Sequence, residues 1–535
     1  MKRVVWCLVV LIMPMSFIRA ESAVYVFSDT EAVLASEEEG GEPLEGYFSK
    51  NPEFNYFYKH ALNPQQSLFM DGVDQRFLSF DYNGFSLRDP SHPSGIFNMS
   101  ALVSSIEEKK VLHKPGALSV LSDKKEGGFL RFGISHLGEA LAGFQKGSCN
   151  ADFCYGGGAA FRRGGGFSQK AGGVERDYFN KVDLNFHTVK YRESFEDKTY
   201  LFYSGQVFDE DSVGVFDLNE SESKVAKSKG ATLFFGKAYR FKEMELRGFY
   251  LASYRTQKNR EKNLSYSQRG EVFEAQIKLK KFQFNLFNER YDLFSSSGSD
   301  LGGLSKYSDK AGEFLYNVQL GYTKERKAYG GGRLEYKNFS LFFDALSASL
   351  YQANFNKEFS ANNEDLKTQN IVGFEFFKNW SLGKTLNLGM RTTYSRTFDF
   401  IDYNLNTNLY ENLDEIETAT LKIDATGEMF KLFGQYQWAK NLSADSDLPR
   451  RPGWTFGLSG KQKLYSLSLS SDVKWVSERV AFDGSMLNSF WDTVLRVEHR
   501  GFEFSVSNFL DQDRPVLKGL ERRPITFELK YQKTF

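Results

Sequence analysis

Pro524-Ile525-Thr526-Phe527-Glu528-Leu529-Lys530-Tyr531-Gln532-Lys533-Thr534-Phe535, the end of the chain, alternates apolar with polar residues almost without interruption. Successive side chains of an extended strand point to opposite faces. Ile525, Phe527, Leu529, Tyr531 and Phe535 therefore share one face, and Thr526, Glu528, Lys530, Gln532 and Thr534 share the other, with Lys533 the one charge out of phase. The first face suits lipid and the second a wet lumen, the design of a transmembrane β-barrel strand. A soluble amphipathic strand shows the same alternation, so repetition elsewhere decides.

The pattern recurs as hairpins: two alternating segments, a very short turn, then a longer polar stretch. Val182 to Glu193 and Lys198 to Phe208 flank a turn at Ser194-Phe195-Glu196-Asp197. Ala231 to Phe241 pairs with Met244 to Arg255, Val272 to Lys280 with Phe282 to Leu293, and Ile371 to Phe377 with Leu386 to Tyr394. Ala419 to Thr426 pairs with Leu432 to Trp438, Trp454 to Gly460 with Tyr465 to Val476, and Trp491 to Glu498 with Phe502 to Phe509. Short turns at one end and long loops at the other are the asymmetry of an outer-membrane barrel. A direct tally gives about eighteen strands, and two Gly-rich regions, 153–173 and 312–338, blur the register and have room for more.

Composition agrees. No stretch after the N-terminus reaches the roughly 18 apolar residues that a spanning helix needs, and the mean hydropathy is −0.45. Aromatics make up 16% of the residues, as expected where girdles sit at two interfaces and only every second strand residue meets lipid. Lys and Arg total 68, as do Asp and Glu, so nothing points to nucleic acid. Met1-Lys2-Arg3, the apolar run from Val4 to Met13 and Ile18-Arg19-Ala20 read as a cleaved secretory signal over residues 1–20. Cys7 lies inside that apolar run. The mature chain then carries Cys149 and Cys154, read as a disulfide closing a small loop in an oxidising compartment. The loop offers too few further ligands for a metal site, and no cofactor is expected.

The stretch before residue 135 lacks the hairpin rhythm. Ser67-Leu68-Phe69-Met70-Asp71-Gly72 and Gln75-Arg76-Phe77-Leu78-Ser79-Phe80-Asp81-Tyr82-Asn83-Gly84-Phe85-Ser86-Leu87-Arg88-Asp89-Pro90 resemble the plug of TonB-dependent outer-membrane receptors. That family writes Ile-Arg-Gly, a short loop, then an apolar strand into Asp-Gly-Val-Pro-Leu-Asn-Asp-Pro. Ile106-Glu107-Glu108-Lys109-Lys110-Val111-Leu112-His113-Lys114-Pro115 is similar to its Ile-Glu-Arg-Ile-Glu-Val-Leu-Arg-Gly-Pro, and Gly127-Gly128-Phe129-Leu130-Arg131-Phe132 to its Gly-Gly-Val-Ile-Asn-Ile. Val506-Ser507-Asn508-Phe509-Leu510-Asp511, Arg522-Arg523-Pro524 and Leu448-Pro449-Arg450-Arg451-Pro452-Gly453-Trp454 resemble late-barrel blocks of its cobalamin and siderophore receptors.

The resemblance implies an all-β transmembrane chain: an antiparallel barrel of 22 strands with an N-terminal α+β plug inside the lumen. The expected division is residues 1–20 signal, 21–48 periplasmic segment, 49–134 plug and 135–535 barrel. Length permits this, with about 18 residues per strand against roughly 10 for each crossing. The resemblance also implies a TonB box, an extended stretch that adds a strand to the TonB protein of the inner-membrane complex. Ala23, Val24, Tyr25, Val26 and Phe27 are the candidate, ahead of an acidic linker from Glu37 to Glu45. Plug apices that touch a small-molecule ligand in the family correspond here to Asp74, Gln75 and Arg76 and to Arg88, Asp89 and His92. Arg76 and Arg88 could hold an anion or pair with Asp74, Asp89 or the barrel wall.

Departures stand beside the matches. The family's plug arginine in Ile-Arg-Gly is Asp71 here, and its second Arg-Gly is His113-Lys114. A charge reversal at a buried, paired position leaves its partner unpaired unless the wall compensates. Catalysis is set aside, because His60, His92, His113, His136, His187 and His499 are scattered rather than grouped with a nucleophile. The expectation is a monomeric receptor for energised uptake of a scarce nutrient, assembled by the barrel assembly machinery and surrounded by outer-membrane lipid. The alternative is a degenerate receptor-like barrel that binds without transporting.

Overall fold

The computed structural model describes residues 79–89 and, with short gaps, 127–535; before residue 127 it otherwise describes only the short strands 35–36, 54–57, 67–70, 73–74, 109–114 and 117–122. Antiparallel strands from Gly127–Ser135 to Thr526–Thr534 form a closed barrel of 22, not counting the two-residue pairing at Ser446–Asp447. The ends of the barrel sequence seal it. Thr526–Thr534 pairs with Gly127–Ser135, Lys530 lies opposite Gly133, and Phe535 and Gly128 exchange backbone hydrogen bonds of 2.8 and 2.9 Å. The wall thus begins at Gly127, ahead of the expected boundary at 135. Gly127 to Phe132, grouped with the plug from sequence, is the strand that closes the ring.

Burial along the strands is inverted relative to a soluble protein. In Phe282–Asp292, Leu286 is 68% exposed while Glu289 is 2% exposed. Apolar atoms outside and polar atoms inside suit a wall with lipid around it, and closure leaves no backbone edge unpaired in that medium. On the last strand Phe527, Leu529 and Phe535 are exposed and Thr526 is buried, the faces read from the sequence. Outward aromatics pair near both ends of the strands. Phe282 meets Tyr307 at 4.7 Å and Phe314 meets Tyr336 at 4.6 Å beside the tight turns, and Tyr436 meets Trp454 at 4.7 Å towards the other end. These are the interfacial girdles that amphipathic rings favour.

The end of the barrel that carries both termini has the tight turns. Lys242-Glu243, Lys280-Lys281, Tyr465-Ser466 and Arg500-Gly501 each join two strands, with φ of 51°, 49°, 56° and 47° at their first residues. Positive φ matches the turn's twist to that of the strands. The first hairpin read from sequence turns later than the ladder shows. Its strands run to Arg192 and restart at Phe195, and Glu196 sits opposite Tyr191. The other end is mixed. Long connections, such as 213–223, 354–368 and 508–525, alternate with brief ones at 136–139, 260–263 and 405–408, so the expected long loops are found at this end only in part.

The two blurred regions supply wall strands Phe153–Gly165, Phe314–Thr323 and Lys327–Lys337. Their glycines give way to neighbours. A Cβ on Gly156 would stand 2.6 Å from the His187 ring, so the side chain of the adjacent strand occupies the lumen there.

Within the plug, Ser79–Tyr82 and Phe85–Leu87 form a hairpin around Asn83-Gly84, with φ of 50° and 81°. Ser79–Tyr82 runs parallel to Ala117–Ser122, which joins Lys109–Lys114 and Ala35–Ser36 in a five-stranded sheet. Phe54–Phe57, Ser67–Met70 and Val73–Asp74 form a smaller one. No helix occurs among the described residues, so the α part of the expected plug has no counterpart among them.

Candidate functional site: the plug latch

The hairpin at 79–89 is held in the lumen by the inward faces of neighbouring wall strands. Alternation turns Leu201 and Tyr203 outward and Tyr200 and Phe202 inward. Tyr82 meets Tyr200, Phe202 and Phe234 edge-on at 6.3, 5.4 and 5.7 Å. Phe85 meets Tyr200, Phe234 and Phe249 at 5.9, 5.5 and 6.0 Å. Edge-to-face rings in this distance range attract beyond their burial. The tip is clasped as well: Arg247 donates to the Gly84 carbonyl and stacks over the Phe85 ring. A side chain at Gly84 would overlap that guanidinium, and its φ of 81° also favours glycine.

Just beyond the hairpin, the charge is buried. Arg88 Nη1 lies 2.8 Å from Glu274 Oε2, its Nε contacts Glu289, and its guanidinium stacks 4.2 Å from the centre of the Phe287 ring. Arg88, Glu274 and Glu289 are 5%, 3% and 2% exposed. Asn285 donates to the second oxygen of Glu274 at 2.6 Å. Ser253 donates to Asp89 at 2.7 Å. A planar guanidinium can face two carboxylates and an aromatic ring at once, which a lysine cannot. Buried charges need such partners, because desolvation outweighs a poorly made pair.

These contacts decide the reading of Arg88 and Asp89. Expected at an open apex facing a ligand, both are instead taken up by the barrel wall, the pairing that their sequence also allowed. Asp74 belongs to the strand Val73–Asp74; Gln75, Arg76, His92 and the segment Ala23, Val24, Tyr25, Val26 and Phe27 lie outside the described residues. Cys149 and Cys154 are disulfide-bonded and directly opposite one another across two strands. That hairpin turns at the same end of the barrel as Gly127 and Phe535. The wall's contributions, Glu274, Glu289, Phe234 and Phe249, escaped the sequence. Their alternation marks them as inward-facing, but inward positions recur all round the ring and nothing local tells which ones meet the plug.

A second charged cluster spans the inner wall further round. Glu375 accepts from Arg391 Nε at 2.6 Å and Arg333 Nη2 at 3.1 Å, and Glu335 lies 3.5 Å from Arg333.

No family model matches the chain, and no curated protein matches it in sequence. Solved structures do resemble it in shape. The copper transporter OprC superposes with a TM-score of 0.71 at 13% identity, over 96% of this chain and 100% of that one. The FrpB iron transporter from Neisseria meningitidis gives 0.69 at 11%, over 93% and 97%. The siderophore receptor PirA from Acinetobacter baumannii gives 0.71 at 9%, over 94% and 98%. Identities this low speak to fold, and over nearly all of the chain the fold, a closed barrel of 22 antiparallel strands, is shared with these transporters and this siderophore receptor.

Proposed function

We propose that the protein is an outer-membrane receptor that takes up a scarce small molecule by TonB-dependent transport. One observation carries this reading: a hairpin ahead of the barrel is anchored inside the closed lumen by aromatic contacts and buried ion pairs. A barrel built this way is no open pore, and cargo passes only when the plug rearranges. Work on the plug must then come from outside it, and residues 23–27 are the segment to which TonB would add a strand. Apices of the plug and the outer loops bind the cargo; Asp74, Gln75, Arg76 and His92 remain candidates, and Arg88 and Asp89 act as anchors.

The competing reading is a barrel that binds at the surface and does not transport. The two-carboxylate clamp on Arg88 favours it, since a tighter anchor resists displacement. Deleting residues 23–27 separates the two. Small molecules that copurify with the detergent-solubilised protein are identified by mass spectrometry, and their binding and cellular uptake are measured. A receptor with the deletion binds as before and ceases uptake. Unchanged uptake, or none in the intact protein, refutes energised transport.

A further inference from the structure

The lumen wall differs from one side to the other. On the side centred on Met244–Asn259 it is aromatic and grips the plug hairpin through Tyr200, Phe202, Phe234 and Phe249. Nine strands further round the ring of 22, centred on Leu409–Gly427, it carries chiefly hydroxyls and amides, with Lys422, 4% exposed, opposite Gln435. Thr393 lies opposite Thr420 and Ser395 opposite Thr418, with oxygens 2.5 and 2.6 Å apart. Thr420 in turn lies opposite Gln437 on the next strand.

Gln435 and Gln437 give this sector its meaning. They are 2% and 4% exposed, and neither the amide oxygen nor the amide nitrogen of either has a hydrogen-bonding partner. Paired burial is the rule for such groups, and each exception calls for a reason. A surface whose work was to hold the plug would match them, as the wall matches Arg88. Two neighbouring inward positions instead keep donors and acceptors unspent beside a ladder of hydroxyls that can both donate and accept.

We propose that this sector is the lane by which cargo passes the plug, and that the cargo is a hydrophilic molecule rich in hydroxyl or amide groups. The inference rests on the receptor reading above. The plug stays anchored on the aromatic side while the polar side is vacated, and cargo exchanges hydrogen bonds from one hydroxyl or amide to the next. An apolar cargo would leave these groups unmatched.

Introduced cysteines test the lane. Cys149 and Cys154 are bonded to each other and Cys7 lies in the expected signal, so a single new cysteine is the reactive thiol of the mature protein. Gln437→Cys reports the polar sector. Ser204→Cys, at a position 3% exposed on the aromatic side, reports the other. Cells expressing each are treated with a membrane-impermeant sulfonated maleimide, with and without a protonophore. The expected result is labelling of Gln437→Cys at least tenfold faster in energised cells, with Ser204→Cys slow in both conditions. Energy-dependent labelling at Ser204→Cys alone, or at both positions alike, overturns the lane and leaves the receptor standing. Energy dependence at neither overturns the receptor reading and the lane with it. The cargo class is read from the copurifying molecules, and a predominantly apolar one overturns it.

Discussion

Replacing Arg88 with methionine keeps the length of the side chain and removes its charge. Two carboxylates then remain at the lumen wall, Glu274 at 3% and Glu289 at 2% exposure, and only the bond from Asn285 to Glu274 persists among those described above. Removing one side of a buried ion pair costs about 3–5 kcal/mol. At 1.4 kcal/mol per factor of ten, the docked plug loses roughly two to nearly four powers of ten in population relative to the undocked one. The loss falls on the plug, because the wall strands keep their ladder. Limited proteolysis of the folded protein in detergent reads it: plug cleavage accelerates by that factor while the barrel's heat-modifiable migration is unchanged. Adding Glu274→Gln and Glu289→Gln removes the carboxylate charges that Arg88 faced and restores most of the protection, since an ion cluster exchanged for neutral groups is often close to neutral in stability. Equal plug cleavage in the wild type and Arg88→Met, or a triple variant no better protected than the single one, would refute the latch.

Three further outcomes follow from the same contacts. Tyr82→Ala empties the centre of the aromatic cluster and weakens plug docking by about 3–5 kcal/mol, seen as faster plug proteolysis with an intact barrel. Leu529→Arg puts a charge on the lipid face of the last strand and lowers barrel stability by about 2–4 kcal/mol if that position lies near the bilayer midplane, measured by urea unfolding in vesicles; Leu529→Phe is near neutral. Cys149→Ser with Cys154→Ser removes about 2 kcal/mol of loop closure, yet the barrel still folds, because the ladder already aligns the two strands; heat-modifiable migration should match that of the wild type with and without reductant.

The barrel was legible because it is written in a local code. Alternation every second residue sorts Phe527, Leu529 and Phe535 from Thr526 and Lys530 without reference to any other strand. Two-residue turns leave little freedom in register, so seven hairpins could be paired from sequence, five of them with turns at or around where the ladder puts them; the Trp454 hairpin turns at Tyr465-Ser466, beyond the expected 461–464. The code failed where a side chain is missing or polar for another reason. Gly156 to Gly158 leave no alternation to read because His187 and Asn185 of the neighbouring strand fill their space. Glu196 and Asp197 read as a turn because both are charged, whereas Asp197 is satisfied by Lys237 at 2.6 Å within the sheet. The latch was illegible for a different reason. Arg88 and Glu274 are separated by 186 positions, and no local pattern reports a contact made across the lumen.

Arg88 bears directly on the departures in the plug sequence. Asp71 and His113-Lys114 stand where the receptor family that the plug sequence resembles carries arginines, so a partner there is unpaired unless the wall compensates. Arg88 supplies a positive charge in the stretch that resembles the family's Leu-Asn-Asp-Pro, and there it faces two carboxylates. Divergence of the plug therefore need not mean loss of the plug. A relocated clamp preserves closure, and its strength sets the work that displacement demands. The clamp lies on one side of the lumen and the unpaired glutamines nearly opposite, so that work need not be spent on the clamp itself if the plug yields first along Gln435 and Gln437. A receptor whose anchor and lane lie on different sides can hold its plug tightly and still open. A binding-only barrel would have no use for the second feature, and this is why energy-dependent exposure at position 437 weighs more heavily than any further match to the family's sequence.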